Sequence, residues 1–279
     1  MKNSIDFQHL EKFLKEALEE DIGTGDITTN AVISDKEATT GKVIAKEGLI
    51  LCGLNIFEYV FLCLDKNIKI DTKHTDGEKV QNGSTLLTFS GNICSLLAGE
   101  RVALNILQRL SGIATLTKKF VEKIPSTVRV LDTRKTTPGM RALEKYAVRC
   151  GGGSNHRFGL FDAVLIKDNH IKAAGSITKA VEKARKNIPH PQKIEVEVKK
   201  IEEVKEALQA ECDIIMLDNM SPGQVKKAVK IINKRSRIEI SGNIRLSNIQ
   251  NIASEGIDYI SVGALTHSAP AVDISMVFD

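Results

Sequence analysis

The stretch KIEVEVKK, residues 193–200, decides how the chain folds. Side chains alternate along a strand, so Ile194, Val196 and Val198 share one face and Glu195, Glu197 and Lys199 the other. A strand buried in a parallel sheet normally reads as a near-continuous apolar run. RIEIS, residues 237–241, breaks the rule in the same way: Ile238 and Ile240 alternate with Arg237, Glu239 and Ser241. Two placements satisfy this pattern. The charged face is wetted at a sheet edge, or it lines a polar interior, where buried charges must be paired or bind something. Both runs sit in the middle of a series, which favours the interior.

That series begins near residue 127. VRVLDT (128–133), DAVLIK (162–167), KIEVEV (193–198), DIIMLD (213–218), RIEISG (237–242) and DYISVG (258–263) alternate with helical patterns. Ser221-Pro222 is an N-cap followed by Pro at the first helical position. Repeated β–α alternation implies parallel strands with helices outside them. A closed eight-unit barrel takes about 250 residues. This segment is shorter, so six or seven strands in an incomplete barrel are expected.

The preceding portion has a different grammar. Residues 6–20 place Phe7, Leu10, Leu14, Ala17 and Leu18 on one helical face. GKVIAKEGLILCG reads as strands, NIFEYVFLCL as a helix, and NIKIDTKHTDGEKVQNGSTLLTFSG as short strands with Gly turns. A long helical stretch follows over residues 95–124.

With 279 residues, 42% of them hydrophobic, the chain can bury a large core in one big domain or two ordinary ones. Trp is absent, so Ile, Val, Leu and Ala must fill it. The net charge of +4 falls well short of a nucleic-acid stripe or a polybasic membrane tail. Cys52, Cys63, Cys94, Cys150 and Cys212 are scattered without a C-x-x-C pair. Such a set argues for reduced thiols in a cytoplasmic protein, and against a disulfide framework or zinc site. The N-terminal pattern is an acidic amphipathic helix, not a signal peptide. The most apolar region, residues 49–65, is interrupted by Asn55 and Glu58 and is read as a strand and helix, not a membrane span.

In parallel α/β folds, ligands meet the carboxyl ends of the strands. Here those ends read Asp132-Thr133-Arg134-Lys135, Lys167-Asp168-Asn169-His170, Glu197, Asp218-Asn219, Ser241-Gly242-Asn243 and Gly263-Ala264. Between Arg134 and His170 stand seven Arg or Lys residues against Glu144, Asp162 and Asp168, a local net charge of +4 that equals the excess of the whole chain. Such focusing suits a small, strongly anionic ligand. GGGSNHRFG, residues 151–159, sets a glycine run before His156-Arg157; it is neither a P-loop nor a dinucleotide fingerprint. Glu197 and Asp218, near the ends of neighbouring strands, suit Mg2+ shared with substrate phosphates, or internal ion pairs with Lys135 or Lys167.

At these residues the chain closely resembles the quinolinate phosphoribosyltransferase family, also called nicotinate-nucleotide pyrophosphorylase or diphosphorylase (carboxylating). The matching stretches are EDIGTGDIT, ERVALNILQRLSGIAT, LDTRKTTPGMRALEKYAVRCGGGSNHRFGL, DAVLIKDNHI, IEVEV, IIMLDNM, EISGNI and IDYISVGALTHS. They run in order through nearly the whole chain, and TRKTTPG followed by GGGxNHR and KDNH is highly specific. The resemblance implies an α/β protein with an N-terminal α/β sandwich domain over 1–112 and an incomplete parallel α/β barrel over 113–268. A C-terminal segment, 269–279, would return to the first domain. It implies a pentosyl transfer: quinolinate and 5-phosphoribosyl-1-pyrophosphate give nicotinate mononucleotide, pyrophosphate and CO2, on the de novo route to NAD. It implies a homodimer or homohexamer in which Arg101 enters the neighbouring site. Arg134, His156, Arg157 and Lys167 would hold the two carboxylates, with Thr133 donating a hydrogen bond. Lys135 would face the pyrophosphate, and Glu197 and Asp218 would serve the ribose hydroxyls and Mg2+. Ser241, Gly242, Asn243 and Gly263 would cradle the 5′-phosphate, although some relatives carry a second Gly where Asn243 stands. The catalytic set is then Lys135, Glu197 and Asp218.

Three other readings compete. A sister phosphoribosyltransferase-like protein found with molybdate transport genes shares a TRKTTPG-like stretch, but KDNH and NHR together favour the quinolinate enzyme. A barrel aldolase would use Lys167 or Lys199 as a Schiff base. A non-enzymatic anion-binding module would bind without turnover.

Overall fold

The computed structural model describes residues 7–34, 37–253 and 256–279. In chain order the elements are α1 (Phe7–Ile22), α2 (Ile27–Val32), β1 (Ala38–Ala45), β2 (Leu49–Ile50), α3 (Leu54–Leu64), β3 (Lys69–Asp71), β4 (Lys79–Val80), β5 (Thr85–Asn92) and α4 (Ile93–Val121). Then come β6 (Arg129–Leu131), α5 (Arg141–Cys150), β7 (Val164–Ile166), α6 (Asp168–Ala174), α7 (Ile177–Asn187), β8 (Ile194–Val198) and α8 (Ile201–Gln209). The chain closes with β9 (Ile214–Asp218), α9 (Pro222–Ile232), β10 (Arg237–Ser241), α10 (Ile249–Ile252), β11 (Tyr259–Ser261), α11 (Ala264–His267) and β12 (Ile274–Phe278). These fall into two compact units.

The first unit takes the chain up to Lys118, with Thr137–Gly152 and Ser268–Asp279. Its main sheet is antiparallel in the order β12-β1-β5-β3, so the last strand of the chain lies beside the first. Phe57 and Phe61 of α3 meet edge to face and are fully buried, as are Leu107 and Leu110 of α4. On α1, Leu10, Leu14 and Leu18 are buried at the expected spacing, whereas the side chain of Phe7 lies outside the described residues. Glu144 of α5 is fully buried, and it is paired as a buried charge must be. It accepts from Arg109 Nη2 at 2.8 Å, from the Thr137 amide at 3.1 Å and from the Thr137 hydroxyl at 2.8 Å. The glycine run begins as the exit from α5. Gly151 packs so closely on the Ala114 carbonyl that a Cβ would clash, and Gly152 has φ +87°. Among the described residues, no helix is long and apolar enough to cross a membrane.

The second unit holds Lys119–Thr136 and Gly153–His267. Its six strands are parallel, in the order β6-β11-β10-β9-β8-β7. β6 and β7 follow one another in the chain yet stand at opposite edges, so the sheet is an incomplete six-stranded barrel. β8 and β10 lie inside the sheet, and Glu195 and Glu239 are 6% and 1% exposed. That settles the placement of the alternating strands: their acidic face lines the interior and is not a wetted edge. Ile194, Val196, Val198, Ile238 and Ile240 are buried on the other face. Each such side chain contributes about 1.5–3 kcal/mol when fully buried. Ser221 caps α9 as the sequence implies, its hydroxyl accepting from the Gln224 amide.

Candidate active site

Register fixes which side chains converge. Neighbours in a parallel ladder point to the same side of the sheet. Glu197 pairs with Met216, Met216 with Glu239, and Asp218 with Ser241. Glu195, Glu197, Asp218, Glu239, Ser241 and Ser261 therefore share the inner face. At its rim, the Lys167 ammonium forms an ion pair with Glu197, and Lys199 lies 4.0 Å from the same carboxylate and 3.1 Å from Asp168. Asp168 holds the Lys199 ammonium above its ordinary pKa. A Schiff-base lysine needs the opposite shift, so the aldolase reading loses Lys199. Lys167 is likewise engaged with a carboxylate.

Below the rim lies a second layer. His156 Nε2 is 3.2 Å from Glu195 and 3.6 Å from Glu239. The Ser261 hydroxyl donates to Glu239. Burial, followed by the nearby Glu195 charge, pushes the Glu239 pKa up to about 8. The other imidazole nitrogen, Nδ1, accepts from the Arg157 amide at 2.7 Å. Both ring nitrogens of His156 thus face protein groups. Asp132, fully buried at the end of β6, accepts from the His156 amide at 2.9 Å and from Asn155 at 2.5 Å. The Arg157 guanidinium donates to the Ala163 carbonyl, and its pKa is lowered first by burial and then by Arg134. Two neighbouring guanidinium groups disfavour one another's charge.

The opposite side of the rim is small and polar. Asn219 donates to Asp218 and accepts from Asn243, both at 3.0 Å. Gly242 has φ +97°, and a Cβ there would run into the Asn219 amide. Asn219, Gly242 and Asn243 border a cavity of about 320 Å³ that also reaches Ser241 and Asn248. Thr133 Oγ1 accepts from the Lys135 amide at 3.0 Å, and the Lys135 carbonyl accepts from Thr266 at 2.7 Å. A Cβ on Gly263 would touch the Lys135 side chain at 3.1 Å. A larger, mostly apolar cavity of about 560 Å³ shares Arg157 and His170 with the rim but is walled by β7 and α7.

The second unit therefore contains every expected site residue except Arg101. Arg101 is exposed on α4 in the first unit, with Glu100 3.7 Å away. The cationic window divides as well: Arg141, Lys145 and Arg149 ride on α5 in the first unit, and Lys145 is only 2% exposed. The rim draws on Arg134, Lys135, Arg157 and Lys167.

A family model described as "Quinolinate phosphoribosyl transferase, C-terminal domain" matches residues 113–277, and its N-terminal counterpart matches residues 26–111. This chain belongs to the quinolinate phosphoribosyltransferase family. A probable nicotinate-nucleotide pyrophosphorylase [carboxylating] from Synechocystis is 46% identical over 96% of this chain and 92% of its own length. The crystal structure of NadC from Streptococcus pyogenes is 46% identical, covers 97% of this chain and 96% of that one, and superposes with a TM-score of 0.94. The nicotinate-nucleotide pyrophosphorylase from Francisella tularensis is 45% identical over 99% of this chain and 98% of that one, with a TM-score of 0.95.

Within this quinolinate phosphoribosyltransferase chain, sequence reasoning gave no role to Asp132, Asn219 or the Ser261 hydroxyl. Asp132 was legible only as a polar strand end. Its contacts to Asn155 and His156 join segments more than 20 residues apart, and no local spacing signals such a pair.

Proposed function

We infer that this chain transfers the phosphoribosyl group of 5-phosphoribosyl-1-pyrophosphate to quinolinate, with decarboxylation, giving nicotinate mononucleotide, pyrophosphate and CO2. The observation that carries the reading is one barrel mouth presenting Arg134, Arg157 and Lys167 beside Glu197 and Asp218, in a chain that matches the family along nearly its whole length. Arg134, Arg157 and Lys167 hold the two carboxylates of quinolinate, with Thr133 adding a hydrogen bond; His156, expected to share that grip, has both ring nitrogens against protein groups and instead sets Arg157 from beneath. Planar guanidinium groups grip carboxylates with two bonds, and Lys adds a point charge. Substrate carboxylate draws Lys167 from Glu197, which frees that acid for the ribose.

Glu197 and Asp218 offer hard carboxylate oxygens on adjacent strands and fit Mg2+. Bound there with substrate phosphates, the ion would supply positive charge against the departing pyrophosphate. Lys135 faces that same leaving group, while the carboxylates stabilise the oxocarbenium-like sugar as the pyridine nitrogen attacks C1. Ser241, Gly242, Asn243 and Gly263 seat the 5′-phosphate, since small residues let it approach the backbone. Alkylation makes the ring nitrogen positive, which stabilises the carbanion left when the C2 carboxylate departs as CO2, and a proton from water then takes its place at C2. No side-chain nucleophile is needed. The enzyme works as a homodimer or larger assembly, with exposed Arg101 completing the partner's site. Its five free cysteines suit the reducing cytoplasm. Incubation with quinolinate, the phosphoribosyl donor and Mg2+ should yield nicotinate mononucleotide and CO2, with loss of product when any one is omitted. Absence of nicotinate mononucleotide from the complete mixture would refute the assignment.

A further inference from the structure

Beneath the rim, the barrel interior holds three titratable groups whose ligand atoms lie within 4.8 Å of one another: His156, Glu195 and Glu239. No step of the reaction needs them to touch substrate. Glu195 and Glu239 sit side by side in this buried layer, where carboxyl groups must be hydrogen-bonded or paired. The Ser261 hydroxyl and His156 Nε2 reach Glu239 from β11 and from the loop between α5 and β7. Glu195 reaches it from β8, and among the described residues Glu195 Oε1 has no hydrogen-bond partner. With Nε2–H donated down to the carboxylates, Nδ1 is left bare to receive the Arg157 amide. The Glu195 charge also offsets the repulsion between Arg157 and Arg134.

We propose that Glu239 is a positioning residue for quinolinate: through Glu195 and His156 it fixes the imidazole tautomer that anchors the Arg157 backbone and aims its guanidinium at the mouth. The elevated proton affinity of Glu239 agrees with this geometry. The proposal rests on the reading that Arg157 binds quinolinate, and its test separates the two. Steady-state kinetics would compare Arg157→Ala, Glu239→Ala and Glu239→Gln. Arg157→Ala and Glu239→Ala should each raise the quinolinate KM roughly tenfold or more, while the KM for the phosphoribosyl donor changes less than about twofold. Glu239→Gln keeps a neutral group of the same shape and should restore the quinolinate KM to within about threefold of wild type. If Arg157→Ala raises that KM and Glu239→Ala does not, the positioning role is overturned and the site reading stands. If Arg157→Ala has no effect, the site reading itself fails. Equal rises in both KM values for Glu239→Ala would mean general loosening and would also overturn the proposal. A measurement on the wild-type enzyme guards against a variant that does not fold. Nitrogen-15 spectra of labelled histidine, assigned with His156→Gln, should show a neutral ring protonated on Nε2 at pH 7. A ring protonated on Nδ1, or doubly protonated, overturns the proposal.

Discussion

Arg134 shows how a single side chain reaches function. It lies three residues past β6, is exposed, and is near enough to Arg157 to lower that group's pKa. Arg134→Ala should raise the quinolinate KM and cost roughly 1.5–3 kcal/mol in kcat/KM, the scale of a charged hydrogen bond. Unchanged quinolinate kinetics would remove Arg134 from the site. Glu239 makes a prediction about stability. Burial pushes its carboxyl pKa up to about 8 in the folded chain, against about 4.5 for an ordinary glutamate. Between those limits the folded state binds more protons than the unfolded state, so Glu239 makes stability fall as pH rises from about 4.5 to about 8 and then level off. Urea unfolding across that range should show a shallower decline for Glu239→Gln than for wild type. Parallel curves would mean that Glu239 does not titrate there. The alternation in RIEIS put Glu239 on the polar face of its strand; that the face turns inward was decided by strand order and burial. Its partners were not legible, because Ser261 and Glu195 come from other strands whose register no single run specifies.

At the level of elements, β10 and its turn carry the clearest constraint. Gly242 follows the strand with φ +97°, and Asn243 with φ +54°. A side chain at Gly242 would both strain the backbone and displace the Asn219 amide that joins Asp218 to Asn243. Gly242→Ala should therefore cost about 1–3 kcal/mol of stability and raise the KM for the phosphoribosyl donor more than that for quinolinate. Denaturant titration and initial rates would show this, and an unaltered donor KM would deny the turn a phosphate-seating role. Periodicity read this level well. The six inner strands, the cap at Ser221 and the helix over most of residues 95–124 emerge where expected, since each depends on neighbours within a few positions. The glycine run is different. Gly151 and Gly152 serve the exit from α5, and the Ala114 carbonyl on which Gly151 packs comes from the distant helix α4, a contact that no local spacing signals.

At the scale of the whole molecule, the open site is Arg101. It stands exposed on α4 in the first unit. If it completes the partner's site, mixing Arg101→Ala with Arg134→Ala subunits should regain roughly a quarter of wild-type activity, because half the dimers are mixed and one of their two sites is whole. No recovery after subunit exchange would place its action within its own subunit or nowhere near the site. The sequence alone determined the incomplete parallel barrel, the polar strand tips and the family, because alternation, caps and contiguous motifs are local in the chain. Tertiary structure alone decided that the acidic faces of β8 and β10 turn inward, that α5 draws three cations of the basic window into the first unit, and that His156 meets two buried carboxylates. Those outcomes depend on strand order and burial, which arise only when segments far apart in the chain are packed together.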